Sequence, residues 1–219
     1  MNAHSPARLQ ILILAGGFSS RLGRPKALAR VRSLSLLRRT LILAARLAPA
    51  KIIIVVPRRA VRYRIEARRF KVVFAVNPRR ADGLSSSVRR GIAQARYAPA
   101  LLLLPVDLAA VRQADLTRLI SRWSAARRRV VARLIGPRGE TARDEVLGAG
   151  TPLGGVPLIL PRRLYPRALA VTGDIGLREL VNGLPAKERV LVDLPSAALD
   201  VDTPQDLSAA RRRRCGVSL

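Results

Sequence analysis

A glycine-rich stretch near the start of the chain has the residue types that bind phosphate. In residues 12–28, LILAGGFSSRLGRPKAL, an apolar run ends at Gly16 and Gly17, and Arg21 and Lys26 follow. Glycines let a backbone approach its ligand closely, and clustered backbone N–H groups attract anions. Lysine is rare, with four among 41 basic residues, and its compact charge suits a phosphate oxygen. The spacing matches neither a P-loop nor Gly-x-Gly-x-x-Gly, so the glycines alone also fit an ordinary turn between strand and helix.

Acidic side chains later in the chain are candidates for holding a metal ion. Asp107 follows the apolar run LLLLPV, and a carboxylate at such a strand end lies at the edge of a sheet where ligands bind. Asp200 and Asp202 alternate in LDVDTP, and alternate residues of an extended segment point to one face. Carboxylate oxygens suit Mg²⁺. Each acid also has a simpler interpretation, as a helix cap or a turn residue, and the residues alone leave both open.

Apolar runs and helical patterns alternate along the chain and predict the elements that position these residues. Strand-like runs occupy residues 9–15, 51–56, 71–76, 100–106, 129–135, 156–161 and 189–194. Helical patterns start at Ser35, near Ser85, near Ala114, and at Thr203 with Pro204 in first position. Continuous apolar runs are typical of strands buried on both faces, so the alternation predicts a Rossmann-like, three-layer α/β/α fold with a mostly parallel sheet. Residues 136–157, rich in Gly and Pro, predict a long loop or hairpin.

The length of 219 residues suits one domain, which we expect to span residues 1–219, with a core at about 9–207 and a basic tail at 208–219. No apolar run is long enough for a membrane span, and no secretory signal opens the chain. With a single cysteine, Cys215, no internal disulfide forms, and we expect a cytoplasmic protein. His4 is the only histidine and lies in the terminus, which excludes a serine or cysteine triad.

The charge of the chain is strongly positive, with a formal net charge of +27. Such a charge can bind nucleic acid, but the arginines are spread along the whole sequence, which favours a solvated surface. Aromatic residues, on which bases could stack, are scarce and isolated. No acid precedes Glu66, so the N-terminal part of the chain suits an anionic ligand such as a polyphosphate.

Five ordered motifs resemble those of the MobA-like nucleotidyltransferases, whose best-known members attach a nucleotide to the molybdopterin cofactor. The glycine-rich stretch resembles the signature L-A-(A/G)-G-x-S-x-R-x-G-x-x-K. The other four motifs are VNPRRADGLSSSVRRGI at 76–92, LLLLPVDLAAV at 101–111, LAVTGDIGLRELV at 169–181 and LDVDTPQDL at 199–207. The resemblance extends from about residue 9 to residue 207.

The resemblance implies a nucleoside triphosphate donor, Mg²⁺ and release of pyrophosphate, with transfer to a small phosphorylated acceptor. By this resemblance Arg21 and Lys26 would stabilise the triphosphate and the departing pyrophosphate, which is the main task in phosphoryl transfer. Asp107 would bind the metal, with Asp202 as the favoured second ligand and Asp200 as its alternate. The implied nucleotide contacts are the backbone of Leu14, Ala15, Gly16 and Gly17, the side chain of Asn77, and Ser85 and Ser86.

Three departures leave the base and the acceptor open. Gly155-Val156-Pro157 stands where the cytidylyl-transferring branch often has G-H-P, and Ala109 stands where a proline usually follows the strand-end Asp. The Ala-Gly-Gly loop is commoner in the guanylyl-transferring branch, whereas TGD, with Asp174, and DVDTP are similar to the cytidylyl branch. We therefore expect CTP rather than GTP, a molybdopterin-type acceptor, and a molybdoenzyme or chaperone as a partner. The alternatives are another small acceptor, or an Arg-rich protein that binds nucleic acid with an idle nucleotide pocket.

Overall fold

A seven-stranded sheet forms the centre of the structure, a computed structural model that describes residues 9–17, 19–126, 129–135, 153–173 and 176–213. The sheet order is β5-β4-β1-β6-β8-β7-β9. Its strands are β1 (Gln10–Leu14), β4 (Lys51–Val56), β5 (Val73–Val76), β6 (Ala100–Pro105), β7 (Val130–Ile135), β8 (Leu153–Pro161) and β9 (Arg189–Val192). A separate ribbon pairs β2 (Arg30–Val31) with β3 (Leu34–Ser35).

The sheet is mostly parallel, as predicted. β1 lies between β4 and β6, and both pairings are parallel. β8 runs antiparallel to both of its neighbours, β6 and β7. All seven predicted strands are present, and β8 begins at Leu153, earlier than the sequence indicated. Of the two alternatives predicted for 136–157, the last residues fit a hairpin and not a loop, because they extend β8 and pair antiparallel with β7. Residues 136–152 lie outside the described part of the chain.

Seven helices occur in the described residues: α1 (Leu36–Arg46), α2 (Val61–Ala67), α3 (Leu84–Gln94), α4 (Gln113–Ala125), α5 (Tyr165–Ala170), α6 (Gly176–Asn182) and α7 (Pro204–Arg212). The Ser35 side chain accepts a hydrogen bond from Arg38 N and starts α1 as predicted. Thr203 caps α7 in the same way, and Asp206 completes a capping box. The short helices α2 and α5 were not predicted, because they hold too few turns for an apolar period to emerge.

Two apolar cores cover the two faces of the sheet and give the predicted three layers. Alternate residues of β1 point to opposite faces, so Ile11 and Ile13 pack with α1, α2 and α4, while Leu12 and Leu14 pack with α3, α5 and α6. Helix α3 lies very close to the sheet, since a Cβ added at Gly91 would be 2.2 Å from Leu12 Cδ2. A smaller cluster packs α7 on the β2–β3 ribbon.

The parallel strands β1, β4, β5 and β6 end at one edge of the sheet, and the segments that follow them meet there. The predicted site residues lie in or beside these segments. No helix within the described ranges has the length and apolar character needed to cross a membrane.

Candidate functional site

The glycine-rich stretch forms a closed loop at the carboxyl end of β1. Ala15 N donates to Val55 O at 3.2 Å, which holds the start of the loop against β4. Ser19 and Gly23 have φ angles of +55° and +68°, and these reversals turn the chain back. Ser19 Oγ then accepts a hydrogen bond of 2.9 Å from Lys26 N, which closes the loop.

Lys26 contacts two of the predicted carboxylates at once. Its Nζ atom lies 2.9 Å from Asp107 Oδ2 and also donates to Asp202 Oδ1. Arg21 binds the second oxygen of Asp202, with 2.6 Å between Nη2 and Oδ2. The Lys26 side chain is only 17% exposed, whereas that of Arg21 is 61% exposed. The structure thus brings together residues that are far apart in sequence, with Arg21 at the outer side of the group.

Backbone contacts explain why the segment around Asp202 lies beside Asp107. Leu108 pairs with Asp200 in an antiparallel bridge, and Val201 N donates to Asp107 O at 3.0 Å. Ala109 N donates to the same carbonyl at 2.7 Å, a contact that the proline of the family pattern cannot make.

Asp202 is fixed from its other side by the capping box of α7. Asp202 N donates to Asp206 Oδ2 at 3.1 Å, and Thr203 N donates to the same oxygen at 2.8 Å. The favoured second carboxylate therefore lies where the extended segment turns into a helix.

Burial and neighbouring charges shift the pKa values of Lys26 and Asp200. Burial lowers the pKa of Lys26, but the charges and hydrogen bonds of Asp107 and Asp202 outweigh it and raise that pKa above its ordinary value. Burial, together with the negative charge of Asp107, raises the pKa of Asp200 to about 7, although Arg133 opposes the shift. Lys26 is accordingly a permanent cation at neutral pH.

Asp200 and Asp202 do not share one cation. Asp202 contacts Lys26, whereas Asp200 Oδ1 lies 3.9 Å from Nη1 of Arg133 on β7. Both acids therefore lie in the same part of the structure, as expected, but each pairs with a different cation. Arg133 was missed by sequence reasoning, because nothing distinguishes it from the many other arginines.

Asn77 is buried at the end of β5, and its amide faces α3. Asn77 Nδ2 donates to Ser86 Oγ at 2.8 Å and to Ser87 Oγ at 3.1 Å. With Ser86, Asn77 lines a cavity of about 430 Å³ whose other walls include Arg79, Arg89 and Arg90. A direct contact with a base or ribose stays a prediction, and the structure adds Ser87 to the polar group there.

Ser85 and the glycine loop are tied to this region by further contacts. Ser85 N donates to Gly173 O at 3.1 Å. A Cβ at Gly16 would lie 3.5 Å from Ser87 Oγ, so the loop after β1 contacts the start of α3. Arg80, which sequence reasoning did not select, donates to Gly17 O at 2.9 Å. Asp174, His4 and Cys215 lie outside the described residues.

The carboxylates fit a divalent cation that also binds substrate. Within the described ranges, no group of three or more His, Cys, Asp and Glu side chains is arranged to hold a metal ion. Asp107 Oδ2 and Asp202 Oδ1 nevertheless converge on one point, which the Lys26 ammonium occupies in this structure. Mg²⁺ commonly takes one or two carboxylates and completes its shell with water and substrate phosphates. The donor set is therefore compatible with Mg²⁺ bound together with a nucleotide.

This fold and this site define the class of the protein. Residues 11–190 match the model of the MobA-like NTP transferase domain. The match covers most of the chain, so the chain belongs to this family and is a nucleotidyltransferase by class. No curated protein sequence matches the chain.

Solved structures with a similar fold include Rv0371c from Mycobacterium tuberculosis H37Rv, at 23% identity over 94% of this chain and 97% of that one, with a TM-score of 0.72. Rv0371c has also been solved as a complex with manganese. A second is 2-C-methyl-D-erythritol 4-phosphate cytidylyltransferase from Thermus thermophilus, at 23% identity, 92% and 96% coverage and a TM-score of 0.66. A third is molybdopterin-guanine dinucleotide biosynthesis protein A from Archaeoglobus fulgidus, at 14% identity, 92% and 96% coverage and a TM-score of 0.63. At these identities the likeness concerns the fold.

Proposed function

We propose that the protein transfers a nucleoside monophosphate from a nucleoside triphosphate to a phosphorylated acceptor and releases pyrophosphate. CTP is the favoured donor, and a molybdopterin-type compound is the favoured acceptor. The observation that carries the proposal is the contact of the Lys26 ammonium with both Asp107 and Asp202, beside the glycine loop. A cation of this kind, held at the carboxyl edge of a parallel sheet, is suited to a triphosphate.

The transfer needs charge neutralisation and alignment rather than a covalent enzyme intermediate. A phosphate oxygen of the acceptor forms a bond to the α-phosphorus, and the bond from that phosphorus to the bridging oxygen of pyrophosphate breaks. The leaving pyrophosphate takes the electron pair, and Lys26 and Arg21 neutralise its charge. When bound at Asp107 and Asp202, Mg²⁺ supplies further positive charge to the phosphate oxygens.

The choice of CTP and of the acceptor rests on motifs in the second half of the chain. The TGD and DVDTP motifs are similar to the cytidylyl-transferring branch, while the Ala-Gly-Gly loop is also common in guanylyl transfer. Two proteins of similar fold carry names that refer to a cytidylyltransferase and to molybdopterin-guanine dinucleotide. Both CTP and GTP therefore belong in the test, and a nucleotide-bearing cofactor would pass to a molybdoenzyme or its chaperone.

Pyrophosphate release tests the proposal directly. The protein would be incubated with Mg²⁺, molybdopterin and either CTP or GTP, and release would be followed for wild type, Lys26→Ala and Asp107→Ala. Lys51→Ala is the matched control, because Lys51 is exposed at the start of β4, at the opposite edge of the sheet. We expect the wild-type protein to release pyrophosphate from CTP. Both site variants should lose this activity, and the Lys51→Ala control should keep it. Wild-type rates in both site variants would contradict the mechanism.

Binding of nucleic acid is the second candidate, and one observation favours it. Arg58, Arg59, Arg62 and Arg80 line one cavity of about 570 Å³, which would attract a polyanion. The rings of Phe74 and Tyr97, however, each have an arginine guanidinium within 4.5 Å of the centroid, so these rings are not free stacking platforms. This candidate predicts tight, steeply salt-dependent binding of DNA or RNA that Lys26→Ala leaves intact. The enzyme predicts thermal stabilisation by CTP with Mg²⁺ that Lys26→Ala abolishes.

A further inference from the structure

Arg133 is a nearly buried cation on the side of the site away from the glycine loop. Its side chain is 14% exposed, near the carboxyl end of β7. Opposite it, β8 is irregular: Ala132 pairs with Leu158 and Arg133 with Gly155, so two residues of β8 have no partner on β7. Such bulges commonly occur beside active sites, where they redirect a side chain.

Among the residues that the structure describes, no carboxylate lies within hydrogen-bond distance of the Arg133 guanidinium. Within the described ranges its ion pair is with Asp200, at 3.9 Å, which is beyond hydrogen-bond distance, and the Asp200 side chain is 45% exposed. Burial lowers the pKa of Arg133 and the positive charge of Arg178 on α6 adds to this, whereas the negative charges of Asp200 and Asp107 oppose it. A guanidinium in such surroundings gains most from an anion with which it can form two parallel hydrogen bonds.

The position of Arg133 relative to Lys26 suggests which anion that is. The sheet order places β1, with the Lys26 loop, on one side of β6 and places β7 on the other, two strands or about 10 Å from β6. Asp107 follows β6 and therefore lies between the two cations. In phosphoryl transfer the attacking and leaving oxygens lie roughly in line, on opposite sides of the reacting phosphorus. With the pyrophosphate at Lys26, the acceptor must approach from the side of Arg133.

We propose that Arg133 binds the phosphate group of the acceptor and holds it for attack, on the side of Asp107 opposite Lys26. This inference rests on the proposed function, because it takes its direction from the placement of the triphosphate. It specifies that the acceptor presents a phosphomonoester, a group that one guanidinium recognises through two oxygens. Arg133 is thus a substrate-binding residue, and Asp200 keeps it oriented when no anion is bound.

Binding of glycerol 3-phosphate, the simplest stable phosphomonoester probe, tests the proposal. Its affinity would be measured by thermal shift at fixed ionic strength, with and without Mg²⁺ and a non-hydrolysable CTP analogue that occupies the triphosphate site. The variants are Arg133→Gln, Arg133→Lys and Asp200→Asn. Arg69→Gln is the matched control, because Arg69 is exposed and lies in the segment leading into β5, at the opposite edge of the sheet.

We expect Arg133→Gln to weaken the affinity for glycerol 3-phosphate about tenfold or more, as the loss of charge-assisted hydrogen bonds implies. Arg133→Lys should keep part of the affinity, and Asp200→Asn should keep all of it, because the guanidinium remains. A purely structural Arg133–Asp200 pair would instead weaken binding equally in Arg133→Gln and Asp200→Asn, which would overturn the proposal.

Two further outcomes separate the inference from its premises. An equal loss in Arg69→Gln and Arg133→Gln would mean that the probe binds the diffuse positive charge of the surface, and would overturn the proposal. We expect the CTP analogue to stabilise Arg133→Gln as much as it stabilises the wild-type protein, because Arg133 does not lie at the proposed triphosphate position. If the analogue fails to stabilise the wild-type protein, the proposed function fails, whereas the probe measurement without nucleotide still decides whether Arg133 binds phosphomonoesters.

Discussion

Asp200 and Asp202 lie two residues apart, yet their carboxylates pair with different cations. Asp202 contacts Lys26 and Arg21, whereas Asp200 lies 3.9 Å from Arg133. One short segment thus supplies an acid to each half of the site. The two acids should consequently differ in what their removal affects.

The proposed dependence on magnesium should distinguish the two acids. We expect Asp202→Asn to raise the Mg²⁺ concentration for half-maximal pyrophosphate release about tenfold or more, because a neutral amide loses a charge-assisted contact with the ion. Asp200→Asn should leave that concentration close to the wild-type value, since its partner is Arg133. A Mg²⁺ titration of each variant is the measurement, and equal shifts would restore Asp200 as the metal ligand.

Replacement of Lys26 by arginine tests why lysine occupies this position. We expect Lys26→Arg to lower kcat by about 100-fold or more, comparable to the loss of one donor to a developing charge. A guanidinium retains the positive charge, but it cannot place one compact ammonium between Asp107 and Asp202. Steady-state kinetics of pyrophosphate release would measure the effect, with Lys51→Arg as the control. A rate within the error of wild type would show that charge alone suffices.

The close approach of α3 to β1 predicts a cost for adding one methyl group. A Cβ at position 91 would overlap Leu12, which is fully buried and cannot move freely. We expect overpacking in Gly91→Ala to cost about 1–3 kcal/mol and helix propensity to return roughly 1 kcal/mol, so the free energy of unfolding falls by up to about 2 kcal/mol. Urea denaturation measures this. In a Leu12→Ala background the added methyl finds space, so additive effects of the two substitutions would contradict the packing explanation.

Alkaline pH should reveal the burial of Tyr165. Burial raises the pKa of its hydroxyl strongly, and the hydroxyl donates to Ala98 O at 3.4 Å. The folded protein therefore keeps the proton at pH values where the unfolded chain, with a pKa of about 10, releases it. The contribution of Tyr165 to the free energy of unfolding is fully present below pH ~10, the pKa of the unfolded chain. Above that pH the contribution falls by about 1.4 kcal/mol per pH unit.

Tyr165→Phe should remove this part of the alkaline loss. The variant is expected to be slightly less stable than wild type at pH 7 and more stable at pH ~11, above the unfolded-state pKa, as measured by urea denaturation. Tyr97→Phe is the control, because the Tyr97 side chain is exposed. Parallel pH profiles of wild type and Tyr165→Phe would refute the explanation.

The strands could be predicted from sequence because each is a continuous apolar run buried on both faces. Lys51–Val56 occupies the predicted residues, and the other strands differ by a few residues at their ends. The caps at Ser35 and Thr203 were also evident, since a side-chain oxygen before an apolar period is a local signal. Helix α2 could not be predicted, because its seven residues are too few to show an apolar period.

The sequence predicted which residues lie in the candidate site better than it predicted their contacts. Family motifs indicated Lys26, Asp107 and Asp202, and these residues do meet. The partnership of Asp200 with Arg133 had no local signal, since it depends on the order in which β6, β8 and β7 pair. The internal hydrogen bonds of Asn77 were equally invisible, because they depend on how α3 meets the end of β5.

The antiparallel strand β8 separates β6 from β7 and thereby divides the sheet into two parts. In the proposed complex, the glycine loop, Asn77 and Asp107 follow β1, β5 and β6, Asp202 reaches them from the segment after β9, and the acceptor side is built on β7 and β8. The connection between β7 and β8 joins neighbouring antiparallel strands, so its length can change without disturbing the register of β1 with β4 and β6. In the proposed complex, the acceptor half could therefore change in length while the nucleotide half keeps its strand register, so that one fold could serve acceptors of different kinds.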